Sequence, residues 1–210
     1  MNKALKAVEL LLLFVLFPVS LAFSYPWWLK LAMGLLGFVY VLWLLLRVYR
    51  IPFRPKGLAW GDFWKWIRLK FLLIVLVTTL FVYFADPSDL FFVPLNKPGL
   101  FAFIVLIYTF LSVWPQEVIY RTFFIIRYAD LFPSKGLLIF INAILFSLAH
   151  VFFRSTLVLV LTFLGGLLFA WTFLRFRSTM LVSVEHALYG NWLFTVGMGQ
   201  MLAFPGMESG

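Results

Sequence analysis

The feature that most limits how this chain can fold is a series of seven apolar runs. A helix needs roughly 20 mainly apolar residues to cross the hydrocarbon core of a bilayer. The runs are all close to or above that length, and they cover residues 7–24, 31–47, 70–85, 99–127, 137–153, 156–174 and 179–201. They predict an all-α protein, a polytopic transmembrane helix bundle with about seven spans.

Charge is too scarce for a soluble domain. Only 12% of the residues are charged, against roughly 25% in soluble globular domains. We therefore expect residues 1–210 to form a single transmembrane domain whose main surroundings are lipid. The segment 59–69 mixes Trp with Lys and Arg, a composition that predicts one additional helix lying at the membrane interface.

The distribution of basic residues predicts the topology and argues against nucleic-acid binding. The net charge is +9, and 7 of the 17 basic residues lie between Arg47 and Lys70, in one break between apolar runs. Every strongly basic segment falls on one side when seven spans are drawn, which by the positive-inside rule predicts a cytoplasmic N-terminus. We expect the inner membrane of a prokaryote. The first run is interpreted as a retained helix, with a cleaved signal peptide as the alternative.

Four titratable residues lie well inside apolar runs, namely Glu117, Arg121, Glu185 and His186, and His150 lies near the end of its run. A charged side chain near the bilayer centre costs about 2.5–3.5 kcal/mol on insertion scales, so such residues usually face the protein interior and serve function. Glu117 and Arg121 are four residues apart and can pair on one helix face. That pair could equally be structural.

Three of these residues come from different runs but from similar depths. At 1.5 Å per residue, Glu117, His150 and His186 lie roughly 12–20 Å from the inner boundary. A carboxylate and two imidazoles at one level are suited to general-base activation of water. The same three side chains could hold a divalent metal, although His-Glu-x-x-His spacing is absent, and no cofactor is expected.

Other residues in the runs predict packing. Asn142 and Asn191 are expected to form interhelical hydrogen bonds, and Gly165 with Gly166 to let two helices approach closely. Pro115 removes a backbone hydrogen bond in the fourth run and is expected to kink or break that helix.

Three motifs in residues 99–200 resemble the CAAX protease and bacteriocin-processing (CPBP/Abi) family of intramembrane glutamic endopeptidases. The family pattern Glu-Glu-x-x-x-Arg is similar to residues 116–121, which read Gln-Glu-Val-Ile-Tyr-Arg. Phe-x-x-x-His is matched by residues 146–150, and His-x-x-x-Asn/Asp is approximated by residues 186–191. The resemblance implies an α bundle of about eight helices around a water-filled cavity, with residues 99–200 as the catalytic core.

The resemblance also implies roles. A first-motif glutamate and His150 would activate water, with Arg121 positioning the glutamate, while His186 and Asn191 would stabilise the oxyanion. Two departures matter. Gln116 stands where the family has its main base, so that Glu117 or Glu185 must act or the protein is inert. Asn191 comes one residue late, about 140° around the helix from His186, unless a π-bulge realigns it.

Three functions therefore remain open. The first is an endopeptidase that cleaves a membrane-associated protein or peptide, with Glu117, His150, His186, Arg121, Asn191 and Gln116 as its candidate site. The second is a catalytically silent relative that binds or chaperones a membrane partner. The third is a solute or proton pathway, which internal repeats would favour, and the sequence has none.

Overall fold

A computed structural model describes residues 2–51 and 57–200 of the chain. These residues form eight helices and no strand, which confirms the all-α prediction. The helices are α1 (residues 3–20), α2 (Trp27–Val48), α3 (Trp60–Ala85), α4 (Phe92–Asn96), α5 (Pro98–Leu131), α6 (Lys135–Leu148), α7 (Thr156–Phe176) and α8 (Thr179–Val196).

Within residues 2–51 and 57–200, five helical segments are long and apolar enough to cross a membrane. They are Trp27–Val48, Trp60–Ala85, Pro98–Leu131, Lys135–Phe153 and Thr156–Phe176. The segment Lys135–Phe153 includes α6 and the short 3-10 turn Val151–Phe153 that follows it. The chain is thus an integral, multi-pass membrane protein.

The surfaces of the spans are apolar and their interiors carry charge. Leu36 in α2, Leu72 in α3 and Phe84 in α3 are each more than 60% exposed. By contrast, Glu117 and Arg121 have no exposed surface at all. Such a distribution is stable when the surrounding solvent is hydrocarbon rather than water.

No separate interfacial helix precedes the third span. Residues 60–69 form the first turns of α3, which continues without interruption for 26 residues. At 1.5 Å per residue α3 is about 39 Å long, more than the roughly 30 Å of the hydrocarbon core. The Trp- and Lys-rich segment is therefore the end of a long span, and the prediction of an additional helix over 59–69 is wrong.

Helix α5 runs through Pro115 without a break. The turns on either side are π-helical, over Tyr108–Val113 and Val118–Phe123. Proline offers no N–H to the carbonyl four residues earlier, and the wider π turns accommodate this missing bond within a continuous helix. The sequence predicted a kink or a break at Pro115; the predicted break does not occur, and the helical winding changes on either side of the proline.

The chain divides into two compact units. The first consists of residues 1–56 and 116–177. In this unit α6 packs along α7, and a side chain added at Gly166 would approach the Ala143 Cα to 2.8 Å. The predicted close approach at Gly166 is confirmed. Helix α1 contributes Phe14, which is 1% exposed and contacts four aromatic rings of α5.

The second unit consists of residues 57–115 and 178–210. Its described part contains α3, α4, the first half of α5 and α8, and α8 packs against the other three. Ser178 caps the start of helix α8, and its hydroxyl accepts a hydrogen bond from the Leu181 N–H at 3.2 Å. Helix α8 ends at Gly197, whose φ of +110° closes the helix in a conformation that glycine adopts readily.

Candidate active site

The first group of buried polar residues lies in the first unit, around Arg121. Its Nε lies 3.3 Å from Glu117 Oε2, and both side chains are fully buried. Its Nη1 donates a hydrogen bond of 2.8 Å to Asn142 Oδ1 on α6. The Asn142 amide in turn donates to the Tyr120 carbonyl at 2.6 Å. Arg121 therefore holds the Glu117 carboxylate on one side and α6 on the other, and Asn142 is the interhelical residue that the sequence predicted.

Phe146 connects this group with His150. The guanidinium of Arg121 lies over the Phe146 ring, 4.4 Å from its centroid. The His150 ring meets the same phenyl ring at 4.9 Å, inclined by 69°. A cation over an aromatic face is attracted by the ring quadrupole. The phenylalanine and the histidine of the second motif thus join the glutamate and the arginine of the first in a single packed group.

His150 lies just beyond the end of α6 and not within the helix. The backbone N–H of His150 donates a hydrogen bond to the Ser147 carbonyl at 2.9 Å. The Phe146 carbonyl at the helix end therefore does not accept from this N–H, as it would if the α-helix continued. The His150 side chain takes the place of this N–H, with Nδ1 at 2.8 Å from the Phe146 oxygen.

This contact determines which ring nitrogen of His150 is basic. A carbonyl oxygen can only accept, so Nδ1 carries the proton in this contact. The neutral ring then has its lone pair at Nε2, the form in which histidine acts as a general base. The half-buried His150 is thus held in one tautomer and one orientation by the end of its own helix.

His186 lies in the second unit, on α8. Its side chain is 7% exposed. It meets the ring of Tyr108 on α5 edge to face, with centroids 6.0 Å apart. Tyr108 also packs at right angles on Phe194, one turn of α8 beyond Gly190, at 4.9 Å. His186 is therefore buried as predicted, against the ring of Tyr108.

Asn191 has a different partner from the one that its motif implies. Its amide donates a hydrogen bond of 3.0 Å to the Thr109 hydroxyl on α5, which confirms it as an interhelical hydrogen-bonder. Helix α8 is a regular α-helix over Thr179–Val196, with no π turn between His186 and Asn191. The π-bulge that would have realigned the motif does not occur, and Asn191 stays about 140° around the helix from His186.

Glu185 is part of a buried ion pair that the sequence did not predict. Its Oε1 accepts from Lys70 Nζ at 2.7 Å and from the Tyr189 hydroxyl at 2.8 Å. Glu185 is fully buried, and the Lys70 side chain is 20% exposed. Lys70 also lies over the Trp66 ring, 4.7 Å from its centroid. The sequence placed Lys70 among the topological charges, because nothing local links residues 115 positions apart.

We expect Lys70→Met to lower the free energy of unfolding by about 3 kcal/mol. Removing one member of a buried pair leaves the other charge without compensation, which costs about 3–5 kcal/mol, and the partial exposure of Lys70 places the effect at the lower end. Denaturant titration in detergent micelles measures this. The exposed Lys65 provides the matched control, Lys65→Met. Equal losses in the two variants would show that the ion pair adds no stability.

The candidate residues are divided between the units. Glu117, Arg121, His150 and the half-buried Gln116 belong to the first, whereas His186 and Asn191 belong to the second. Within residues 2–51 and 57–200, no three His, Asp or Glu side chains are grouped in a way that could hold a metal ion.

Comparison with known families supports the resemblance stated above. Residues 98–193 match the family described as "Type II CAAX prenyl endopeptidase Rce1-like". The matched region begins with α5 and includes all three motifs. No match was found among curated proteins or among solved structures.

Proposed function

Because residues 98–193 form a domain of the Rce1-like type II CAAX prenyl endopeptidase (CPBP/Abi) family, we propose that this membrane protein is an intramembrane endopeptidase. Its substrate is a membrane-associated protein or peptide, and the reaction is hydrolysis of one peptide bond. The family implies this activity in general, and the proposal concerns this chain and its residues.

The observation that carries the proposal is the group formed by Glu117, Arg121, Phe146 and His150. A carboxylate and an arginine with no exposed surface cost free energy in a membrane protein, and such residues usually mark functional sites. Phe146 contacts both Arg121 and His150. The contact with the Phe146 carbonyl holds His150 in the tautomer that a general base needs.

In the proposed reaction, Glu117 holds a water molecule and His150 Nε2 removes one of its protons. The water oxygen bonds to the carbonyl carbon, and the π electrons of the C=O bond move onto oxygen as an oxyanion. The oxyanion then re-forms the carbonyl and the C–N bond breaks. The leaving amine takes the proton from His150, so one acid and one amine are released and the enzyme is unchanged.

Arg121 acts in this scheme by positioning Glu117, and His186 acts by donating to the oxyanion. The assignment of His186 rests on its place in the third motif. We do not assign Asn191 to the oxyanion, because its amide donates to Thr109. We also do not assign Glu185 as the base, because Lys70 and Tyr189 both bind its Oε1.

We further propose seven spans in one domain of residues 1–210, with residues 99–200 as its core. Helices α1 and α8 each extend over 18 residues, about 27 Å, which is within the range of spanning helices. Glu185 and His186 lower the hydropathy of α8 without shortening it. With seven spans, the positions of the basic segments support our proposal of a cytoplasmic N-terminus, in the inner membrane of a prokaryote.

A second candidate is a silent relative that binds a membrane partner. Gln116 favours it, because an amide cannot accept a proton from water and this residue replaces the glutamate that the family uses as its main base. In that case, the Glu117–Arg121 pair would only stabilise the packing of α5 on α6, through the bond from Arg121 to Asn142.

Terminal-peptide profiling of the membrane proteome tests between these functions. Cells producing the native protein are compared with cells producing equal amounts of His150→Ala or Glu117→Gln. We expect at least one defined peptide end to disappear in both variants, and that end identifies the substrate. If a deletion strain has a phenotype but no end changes, the endopeptidase proposal is wrong and the silent binding role replaces it.

A further inference from the structure

The third motif lacks its amide where the family has it. The resembled pattern places Asn or Asp four residues after the histidine, which here is Gly190. Because α8 is regular at this point, Gly190 lies about 40° around the helix from His186, on the same face. A glycine cannot donate from a side chain, so another residue must supply the second donor of an oxyanion site built on this face.

The space beside Gly190 is filled by Tyr108. A Cβ added at Gly190 would overlap the Tyr108 hydroxyl and the ring edge that carries it. No other residue than glycine fits there without displacing Tyr108. The hydroxyl therefore lies where the first side-chain atom of an asparagine at position 190 would be.

Tyr108 is also held firmly relative to His186. Its ring packs edge to face on His186 at 6.0 Å and on Phe194 at 4.9 Å. It adjoins the cluster of Val93, Ile104 and Phe194, whose members are each at most 7% exposed. These contacts fix the ring through α5 and α8, which is the preorganisation that a donor to a developing charge requires.

The chemistry of the two groups is equivalent for this purpose. A phenol O–H and a carboxamide N–H are both neutral donors that retain their protons at neutral pH. In a site from which water is largely excluded, as the 7% exposure of His186 indicates, one such donor stabilises an oxyanion much more than it would in water.

We propose that the Tyr108 hydroxyl replaces the missing third-motif amide and donates, together with His186, to the oxyanion of the peptide bond under attack. Gly190 is then the residue that makes room for the tyrosine. This assignment rests on the proposed endopeptidase function. It adds a catalytic residue that lies ten positions into the matched domain and outside the three motifs.

Tyr108→Phe removes only the hydroxyl and keeps the packing of the ring. After induction, the rate at which the peptide end identified above appears is measured per unit of protease in the membrane. We expect Tyr108→Phe to lower this rate about 10²-fold, the usual effect of deleting one oxyanion donor. The matched control is Tyr83→Phe, since Tyr83 is 54% exposed in the same unit, and it should retain the wild-type rate.

An exchange of the two groups tests the replacement directly. Tyr108→Ala opens the space at position 190, so Tyr108→Ala with Gly190→Asn restores an amide four residues after His186. We expect this double variant to form the end at least tenfold faster than Tyr108→Ala alone. Gly190→Asn alone should be as slow as Tyr108→Ala, because the tyrosine ring competes with the new side chain for the same space and neither donor reaches its position.

The outcomes separate this inference from the proposed function. If the native protein forms the end and Tyr108→Phe forms it at the same rate, the tyrosine assignment is wrong and the endopeptidase stands. A double variant no faster than Tyr108→Ala contradicts the substitution of hydroxyl for amide. If the native protein forms no end, both proposals fail.

Discussion

Arg121→Met is expected to lower the free energy of unfolding by about 3–5 kcal/mol and to stop formation of the cleaved peptide end. The buried Glu117 carboxylate would lose the cation 3.3 Å away. Asn142 would lose a donor at 2.8 Å, and the Phe146 ring would lose the guanidinium above it. Denaturant titration in detergent micelles and terminal-peptide profiling measure the two effects separately.

A double variant separates the structural part of this effect from the catalytic part. Arg121→Met with Glu117→Leu removes both charges, and a buried ion pair can often be replaced by apolar residues at little cost. We expect this variant to regain most of the stability while forming no peptide end. Arg175→Met is the control, because Arg175 is exposed in the same unit and surface changes usually stay within about 0.5 kcal/mol. A stable double variant that still cleaves would show that the pair is purely structural.

Arg121→Lys should preserve neither the native stability nor the native rate of peptide-end formation. Lysine keeps the charge, but it lacks the planar fork that contacts Glu117 and Asn142 together and lies over the Phe146 ring. Arginine and lysine are not interchangeable at stacked, multiply hydrogen-bonded positions.

Gln116→Glu is expected to raise the rate of peptide-end formation by about 10²-fold. A positioned general base contributes 10²–10⁴-fold to a hydrolytic rate, and this substitution returns a carboxylate to the position that the family uses. Gln116 is half-buried beside Glu117, so the new carboxylate would lie at the edge of the charged group and not in bulk solvent. The measurement is the same end-formation rate, normalised to the amount of protein in the membrane.

Gln200→Glu is the matched control for this gain. Gln200 is exposed, and the substitution adds the same charge outside the candidate site, so the rate should not change. An unchanged rate in Gln116→Glu would mean that Glu117 and His150 already perform the base chemistry without help. A rise in both variants would point to a general effect of added negative charge.

The Gln116→Glu variant also distinguishes between an endopeptidase and a silent relative. If the native protein forms no peptide end but Gln116→Glu does, the chain is a silent relative whose remaining site is still competent. The contacts around Arg121 and His150 would then stabilise the fold, and residue 116 alone would separate a binding protein from an active protease.

The sequence by itself determined the membrane class and the all-α fold. An apolar run long enough to span lipid is expected to form a helix, because its backbone N–H and C=O groups must find hydrogen-bond partners within the segment. The structure adds the reason why α6, α7 and α8 begin where they do, since each follows a serine whose hydroxyl caps the first turn. The buried charges were also evident from the sequence, since a Glu–Arg pair four residues apart in an apolar run needs an explanation.

Only the tertiary structure decided which partners these residues have. Lys70 binds Glu185 across 115 positions, and Tyr108 occupies the space at Gly190 across 82. No periodicity in the chain links such residues, because helix faces meet through packing and not through local spacing. The winding of α5 around Pro115 and the position of His150 past the end of α6 were decided in the same way. Each depends on which carbonyl accepts from which donor, and the lengths of the apolar runs do not determine that pairing.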